Sequence, residues 1–349
     1  MAQALRELDP DGEIVVVGRR GGVAEPLVTA AGLKLETLDV SGVDLASPLS
    51  VASLSWRLPA STVGAGRILG RARAEVVVGT GGYVCVPVVA AAAVRRLPVV
   101  LLEQNAVPGR AIRLLARRAR YVATSFQETA RHLPGARTVL TGNPVRREVL
   151  SRVPAPVRES LRHLLVMGGS QGARTLNRAV LGSLRDMLEE HADLRITHQC
   201  GVLDAAEVSA AAAGLPSALA ARYHAAPFFS DMADRIAASD LVLMRAGGSS
   251  LAECAAIGRP MLLVPYPHAG GHQEHNVASY VAAGAAVHIA DSECRPERVR
   301  REVGALVRET ERWRAMSAAS AALGRPRAAD DVVALIMAAV RPRHGRRAA

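Results

Sequence analysis

Short runs of β-branched and other apolar residues alternate, almost throughout the chain, with longer stretches whose apolar positions recur at helical spacing. In the first half, EIVVVG (Glu13 to Gly18), EVVVG (Glu75 to Gly79), PVVLL (Pro98 to Leu102), YVAT (Tyr121 to Thr124) and TVL (Thr138 to Leu140) predict strands. Leu49 to Arg71 and Arg110 to Arg120 predict helices. Strands apolar on both faces and separated by helices imply parallel sheets covered on both sides. The alternation pauses at SRVPAPVRES (Ser151 to Ser160), a proline-rich, charged stretch without periodicity, which reads as a linker. It resumes with HLLVMGG, RITHQ, LVLM, MLLVP and AVHIA, and Pro296 to Ala339 is helical in pattern, so that it could cross back to brace the first domain. The expected fold class is α/β, with two doubly wound Rossmann-like domains and a cleft between them. The expected division is a first domain at 1–150, a linker at 151–161, a second domain at 162–325, and a C-terminal helix with a basic tail at 326–349.

The first residues stand apart from this order. Ala2 to Leu8 read as the tail of an amphipathic helix and Asp9-Pro10-Asp11-Gly12 as a turn, ahead of the strand at Glu13. A helix rarely comes first in a strand-helix repeat, which raises the question of whether something belongs ahead of Met1.

Length and composition narrow the chemistry. At 349 residues the chain suits two domains, and with 50% hydrophobic but only 3% aromatic residues, Ala, Val and Leu must fill the cores. The formal charge is +11 and Lys34 is the only lysine, so arginine, whose planar fork suits phosphate, carries the excess. A phosphorylated substrate, an anionic membrane or nucleic acid would fit that charge; a base-composition bias toward arginine would explain the Arg/Lys ratio alone. No nucleic-acid reader motif or aromatic platform is present, so nucleic acid is not an expected partner. Cys85, Cys200, Cys254 and Cys294 form no CxxC pair and read as reduced, mostly buried thiols. The most apolar run, YVCVPVVAAAAV (Tyr83 to Val94), is too short to span a bilayer, and a soluble or peripheral protein is expected.

Five segments could carry chemistry. LLVMGGSQGARTLN (Leu164 to Asn177) reads as strand, glycine-rich turn and helix, a place where free N–H groups and the helix dipole favour a diphosphate, with Ser170 adding a hydroxyl. Any tight strand-to-helix turn also wants glycine. VVVGTGGYVCVP (Val76 to Pro87) repeats the form, and Gly79, Gly81 and Gly82 would open a second phosphate site. In LMRAGGSSLAECAAIGRP (Leu243 to Pro260), Ser250 and Glu253 have capping-box spacing, which explains Glu253 structurally; the alternative sets its carboxylate on ribose hydroxyls. PYPHAGGHQEHNVASYVAAG (Pro265 to Gly284) gathers His268, His272 and His275 beside Gln273, Glu274 and Asn276. That is a poor metal site without a third convincing ligand and a better start to a sugar-binding helix, or simply an exposed polar helix end. LLEQNAVPGRAIRLLARRARYVATS (Leu101 to Ser125) puts Glu103, Gln104 and Asn105 directly after a strand, followed by Arg110, Arg113, Arg117, Arg118 and Arg120 on a helix that is either a solvated face or one for anionic headgroups.

Together the motifs resemble the MurG family, cytoplasmic two-domain glycosyltransferases of the GT-B type. GTGGYV, EQNAVPG, TGNPVR, GGSQGARTLN, FFSDM, RAGGSSLAE and HQEHN occur in that family's order with similar spacing. The resemblance implies transfer of N-acetylglucosamine (GlcNAc) from UDP-GlcNAc to the 4-hydroxyl of the muramoyl sugar of lipid I, with inversion, giving lipid II. It implies that Arg146 and Ser170 hold donor phosphate, that the backbone of Phe229 meets uracil with Met232 nearby, and that Gly248, Ser249, Ser250 and Leu251 line the nucleotide. Glu253 then takes the ribose hydroxyls while keeping its capping place. His272, where many relatives have an amide, and Gln273 contact the donor sugar. Asn105 sits at the junction of donor and acceptor, Glu103 is an acceptor-side catalytic candidate, and Gly79, Thr80, Gly81, Gly82 and Tyr83 bind the acceptor pyrophosphate. No cofactor and no metal are implied. The implied partners are UDP-GlcNAc, lipid I, an anionic membrane surface and other cell-wall synthesis proteins, and the implied location is peripheral, on the cytoplasmic face of the cell membrane. The apolar, Arg-studded segment Leu49 to Arg73, containing Trp56, would lie against that membrane.

Family members open with a strand and a GGTGGH-type loop whose His is a proposed base, and this chain begins partway along the helix that should follow. The expectation is a complete donor site, an acceptor site cut at its edge, and UDP binding with little transfer. Two other readings remain open: a UDP-GlcNAc epimerase of the same fold, and a non-catalytic UDP-sugar-binding protein.

Overall fold

The computed structural model describes residues 1–22, 25–40, 48–153, 158–169, 171–267 and 271–340, with the backbone alone at 26, 27 and 48–57. The linker positions 154–157, Ser170, His268, the side chain of Trp56 and the basic tail from 341 lie outside the described residues. In chain order the first elements are α1 (Ala2–Leu8), β1 (Val15–Arg19), α2 (Glu25–Ala30), β2 (Lys34–Leu38), α3 (Pro48–Arg71), β3 (Val77–Gly79), α4 (Cys85–Val94), β4 (Val99–Glu103), α5 (Arg110–Leu115), β5 (Tyr121–Thr124) and β6 (Thr138–Leu140). Then come α6 (Arg147–Leu150), β7 (His163–Met167), α7 (Arg174–Glu190), β8 (Arg195–Gln199), α8 (Ala205–Ala213), α9 (Ser217–Ala220), β9 (Tyr223–Ala226), α10 (Met232–Ala238) and β10 (Leu241–Met244). The chain continues through α11 (Gly248–Ile257), β11 (Met261–Leu263), α12 (His272–Ala282), β12 (Ala286–His288), α13 (Pro296–Arg308), α14 (Thr310–Leu323) and α15 (Ala328–Val340).

The chain divides into two compact units, one of Met1–Gly142 with the segment from Arg327 on, the other of Asn143–Pro326. The division falls ahead of the proline-rich stretch because α6 packs on α10 and α11, with Val145 and Val149 buried.

In unit 1 every strand pairing is parallel, but the strands form two sheets among the described residues: β1-β2, and β3-β4-β5-β6. β2, with the polar sequence KLETL, is not evident from apolar patterning. The predicted helix from Arg110 stops at Leu115 and tightens to a 3-10 turn at Ala116–Arg118. It must end there because Arg120 N–H already donates to Val99 O at the start of β4. One face of the four-stranded sheet is covered from within the N-terminal sequence, where Val77, Val99, Leu101 and Val122 pack on Val89, Ala92 and Ile112. The other face meets the last helix: Val100, Leu102, Tyr121 and Ala123 pack on Val332, Ile336 and Ala339 of α15. Arg120 joins this contact by donating from Nη1 to Ala339 O at 2.8 Å, so of the five arginines after Pro108 this one is turned inward while Arg110, Arg113, Arg117 and Arg118 are exposed.

Unit 2 is a six-stranded parallel sheet in the order β12-β11-β10-β7-β8-β9. The chain starts in the middle at β7, winds outward through β8 and β9, then returns to the other side of β7 as β10. The strand order therefore reverses between β7 and β10, the place in an open α/β sheet where loops from neighbouring strand ends diverge and leave a crevice. Its central strands are uniformly buried, from Leu164 to Met167 and Leu241 to Met244. β9, YHAA, lies at one edge of the sheet and carries neither β-branched residues nor an unbroken apolar run.

Candidate functional site

The reversal point of unit 2 gathers most of the donor-side candidates. After β7 the chain makes a glycine turn into α7, and after β10 another, Arg245–Gly247, into α11. Gly172, at φ +90°, has no room for a side chain: a Cβ would stand 2.6 Å from Cys200 O. The turn thus rests directly on the backbone beyond β8, and Gly168 N–H donates to Gln199 O at 2.9 Å. Ser170 is outside the described residues.

The capping box at Ser250 and Glu253 does not form. α11 starts at Gly248 with Gly247 as its N-cap and no side-chain cap, so Ser250 lies within the first turn. The first N–H groups of a ten-residue helix are left without a side-chain cap, a ready anion site reinforced by the helix dipole. Glu253 instead turns to Arg146. Arg146 donates from Nε to Glu253 Oε1 at 2.6 Å and from Nη2 to Oε2 at 2.9 Å. This contact raises the Arg146 pKa further above its ordinary value. Ser249 is exposed and accepts from Asn143 Nδ2 at 3.4 Å, whereas Leu251 is fully buried and contributes only backbone. Asn276 on α12 donates to Ala246 O at 3.1 Å and holds the turn before α11.

At the end of β9, Phe229 is buried and its N–H donates to Gln199 Oε1 at 3.1 Å. The guanidinium of Arg235 lies 3.7 Å from the Phe229 ring centre, and Met232 is buried at the start of α10. Gln273, in the first turn of α12, accepts Tyr266 N–H on its Oε1 at 2.9 Å and ties down the loop before the helix. His272 is half-buried beside it, and no group of three or more His, Cys, Asp or Glu side chains that could hold a metal is found among the described residues.

Unit 1 carries the other candidates on the neighbouring strands β3 and β4. Gly81 and Gly82 both have positive φ, +90° and +75°, and carry the chain from β3 toward α4, leaving Thr80, Gly82 and Tyr83 exposed. After β4, Glu103 is buried and both its oxygens are engaged. Oε1 accepts from Asn105 N–H at 2.9 Å and Asn105 Nδ2 at 3.1 Å, and Oε2 accepts from Gly109 N–H at 2.9 Å. The carboxylate closes the EQNAVPG segment into a loop and fixes the Asn105 amide, while Thr129 holds Asn105 O at 3.0 Å.

Asn143 and Gln199 escaped the sequence assignment of roles, and Asn276, expected among the polar groups of a sugar-binding helix start, is buried and spends its amide on Ala246 O. A signal for Gln199 was present: β8 ends on His198-Gln199, two polar residues in a strand otherwise fit for burial.

Two α/β units with parallel sheets, the second with uncapped and glycine-rich helix starts at its strand-order reversal, define a two-unit α/β protein with an anion-binding crevice in its second unit. Residues 163–332 match the glycosyltransferase family 28 C-terminal domain and residues 1–124 its N-terminal domain. The UDP-N-acetylglucosamine–N-acetylmuramyl-(pentapeptide) pyrophosphoryl-undecaprenol N-acetylglucosamine transferase of Desulforudis audaxviator is 39% identical over 96% of this chain and 92% of its own. The Moorella thermoacetica transferase of the same name is 38% identical over 97% of this chain and 94% of its own. The crystal structure of Acinetobacter baumannii MurG superposes with a TM-score of 0.76 at 27% identity, covering 97% of this chain and 95% of that one. A UDP-GlcNAc 2-epimerase from Neisseria meningitidis bound to UDP-GlcNAc gives 0.64 at 12% identity, over 97% and 96% of the two chains, a likeness of fold alone. The chain belongs to the MurG family of glycosyltransferases.

Proposed function

We propose that this protein transfers GlcNAc from UDP-GlcNAc to the 4-hydroxyl of the muramoyl sugar of lipid I, forming lipid II with inversion at the anomeric carbon. The observation that carries the reading is the 39% identity across 96% of the chain to a transferase of that name. The acceptor oxygen forms its bond to the anomeric carbon as the bond to the β-phosphate oxygen breaks, the hydroxyl proton passes to a base, and UDP leaves. Charge builds on the diphosphate in that step, and donors fixed before the reaction stabilise it most. In unit 2 the uncapped start of α11, the glycine turn after β7 with Ser170, and Arg146 supply such donors without a metal. Glu253 takes the ribose hydroxyls, Phe229 backbone the uracil beside Met232, Gly248 to Leu251 the nucleotide wall, and His272 with Gln273 the donor sugar.

In unit 1 the Gly79 to Tyr83 turn receives the acceptor pyrophosphate and Asn105 handles hydroxyls at the reacting centre. Glu103, with three N–H donors on its carboxylate, acts by positioning Asn105. Exposed Val63, Tyr83, Val94 and Leu114, all in unit 1 with the exposed arginines of α5 and its 3-10 extension, support docking on an anionic membrane at the cytoplasmic face. Among the described residues no helix is long and apolar enough to cross a membrane. The test is turnover: radiolabelled UDP-GlcNAc and a soluble lipid I analogue should yield a disaccharide product. UDP-GlcNAc alone converted to its 2-epimer, with no disaccharide, would overturn the assignment in favour of epimerase chemistry.

A further inference from the structure

Beneath the glycine turn that follows β7 runs a line of buried polar side chains to which the transfer chemistry gives no part. The Tyr223 hydroxyl on β9 lies 2.8 Å from His198 Nδ1 on β8. His198 Nε2 lies 2.9 Å from Asn177 Oδ1 in the first turn of α7. Asn177 Nδ2 donates to Cys200 O at 2.8 Å and to Asp204 Oδ2 at 2.7 Å. Both of the latter partners are acceptors, which sets the Asn177 amide the right way round and leaves Oδ1 to accept. His198 must then carry its proton on Nε2, and its bare Nδ1 accepts from the Tyr223 hydroxyl. All of these side chains are buried, His198 completely.

The line ends where the turn rests. Gly172 packs on Cys200 O and Gly201 on Gly172 so closely that an added Cβ would come within 2.6 Å and 2.1 Å of the facing backbone. Gly168 N–H is bonded to Gln199 O, one residue away from the carbonyl that Asn177 holds. Moving Cys200 O therefore moves the floor of the turn and changes the direction of the N–H groups above it.

We infer that His198 is a positioning residue for the donor diphosphate: the relay from Tyr223 through His198 to Asn177 fixes the Cys200–Gly201 backbone and thereby aims the glycine turn. The inference rests on the reading that this turn receives the pyrophosphate of a sugar nucleotide. Such a role makes the relay matter to a ligand with phosphates and not to the nucleoside alone, a distinction that loss of stability does not produce.

Calorimetric binding of UDP and of uridine to the full chain tests it. His198→Phe, which fills the site but cannot hold Asn177, should weaken UDP binding about tenfold while uridine stays within about twofold. His198→Gln, which keeps a donor toward Asn177, should recover part of the UDP loss, and Tyr223→Phe should show a smaller loss of the same kind. Variants that keep the wild-type ratio of UDP to uridine affinity, or that lose both ligands equally, would overturn the inference. A wild-type chain that binds UDP no better than uridine would instead overturn the assignment of the turn to diphosphate. Should His198→Phe fail to fold, Tyr223→Phe, which removes a single oxygen, decides by the same ratio.

Discussion

Arg146 and Glu253 hold each other through two hydrogen bonds, at 2.6 Å and 2.9 Å, although they belong to different motifs and lie 107 residues apart. Under the proposed function each meets a different part of the donor, and a nucleoside diphosphate would compete with their pairing. Arg146→Ala should weaken UDP binding by roughly 10- to 100-fold, the scale of a charge-assisted hydrogen bond, and leave uridine binding no weaker because Glu253 is released. Calorimetric titration of both ligands reads this directly, and equal losses for the two would refute it.

Glu103 should behave as a clip rather than as the base. Glu103→Ala frees three N–H donors of a buried loop, for a cost of about 2 kcal/mol in urea unfolding, and turnover should fall as Asn105 is released. Glu103→Gln keeps one acceptor oxygen and should retain part of the activity. Its pH–rate profile should keep the acidic limb of the parent enzyme, and disappearance of that limb would make Glu103 the base.

His198 also predicts a pH dependence of stability. Burial pushes its pKa down to about 4 in the folded protein, against 6.5 for the free side chain, with Asp204 opposing the shift. The unfolded chain therefore takes up a proton that the folded chain refuses as the pH falls between those values. The associated stability is intact above pH 6.5 and is lost progressively toward pH 4, on the order of 3 kcal/mol in all. Urea unfolding at pH 7.5 and pH 4.5 should show a steeper loss for the parent than for His198→Phe, since carboxylates contribute equally to both.

The helix α15 should stabilise unit 1 selectively. Ile336 is fully buried against the β4-β5 face, and Ile336→Ala should cost about 2–4 kcal/mol. Hydrogen exchange followed by mass spectrometry should show lost protection in β3 to β6 with the strands of unit 2 unchanged. Uniform loss across both units would contradict this.

Membrane docking should be electrostatic and apolar together. The protein should co-sediment with anionic vesicles at low salt, release at about 0.5 M NaCl, and ignore zwitterionic vesicles. Leu114→Ser with Arg118→Ser should weaken the association without changing turnover on a soluble acceptor. Absence of binding to anionic vesicles at low salt would count against the docking surface.

Much of the scaffold was legible because β4, β5, β7 and β10 are buried on both faces, and such strands read as unbroken apolar runs. β2 and β9 escaped because one is polar in sequence and the other is an alanine-rich edge. The glycine turns could be seen from local spacing, since a tight strand-to-helix turn is a property of consecutive residues. Local spacing misled at Glu253, where a capping-box pattern met a helix that starts at Gly248 and a guanidinium from another segment. The Tyr223–His198–Asn177 relay and the Gln199 contact with Phe229 join residues brought near only by strand pairing and helix packing, and no short window of sequence contains them.

The return of α15 to the first sheet has a consequence for biosynthesis. Unit 2 occupies a single uninterrupted stretch, Asn143–Pro326, while the apolar face of Val100, Leu102, Tyr121 and Ala123 waits for Val332 and Ile336. On the ribosome the second unit has all its strands before the first unit receives its last helix, so the half made first is finished last. Until then the nascent chain carries an uncovered greasy sheet face, the point at which a chaperone would have most to hold and a C-terminal truncation most to spoil.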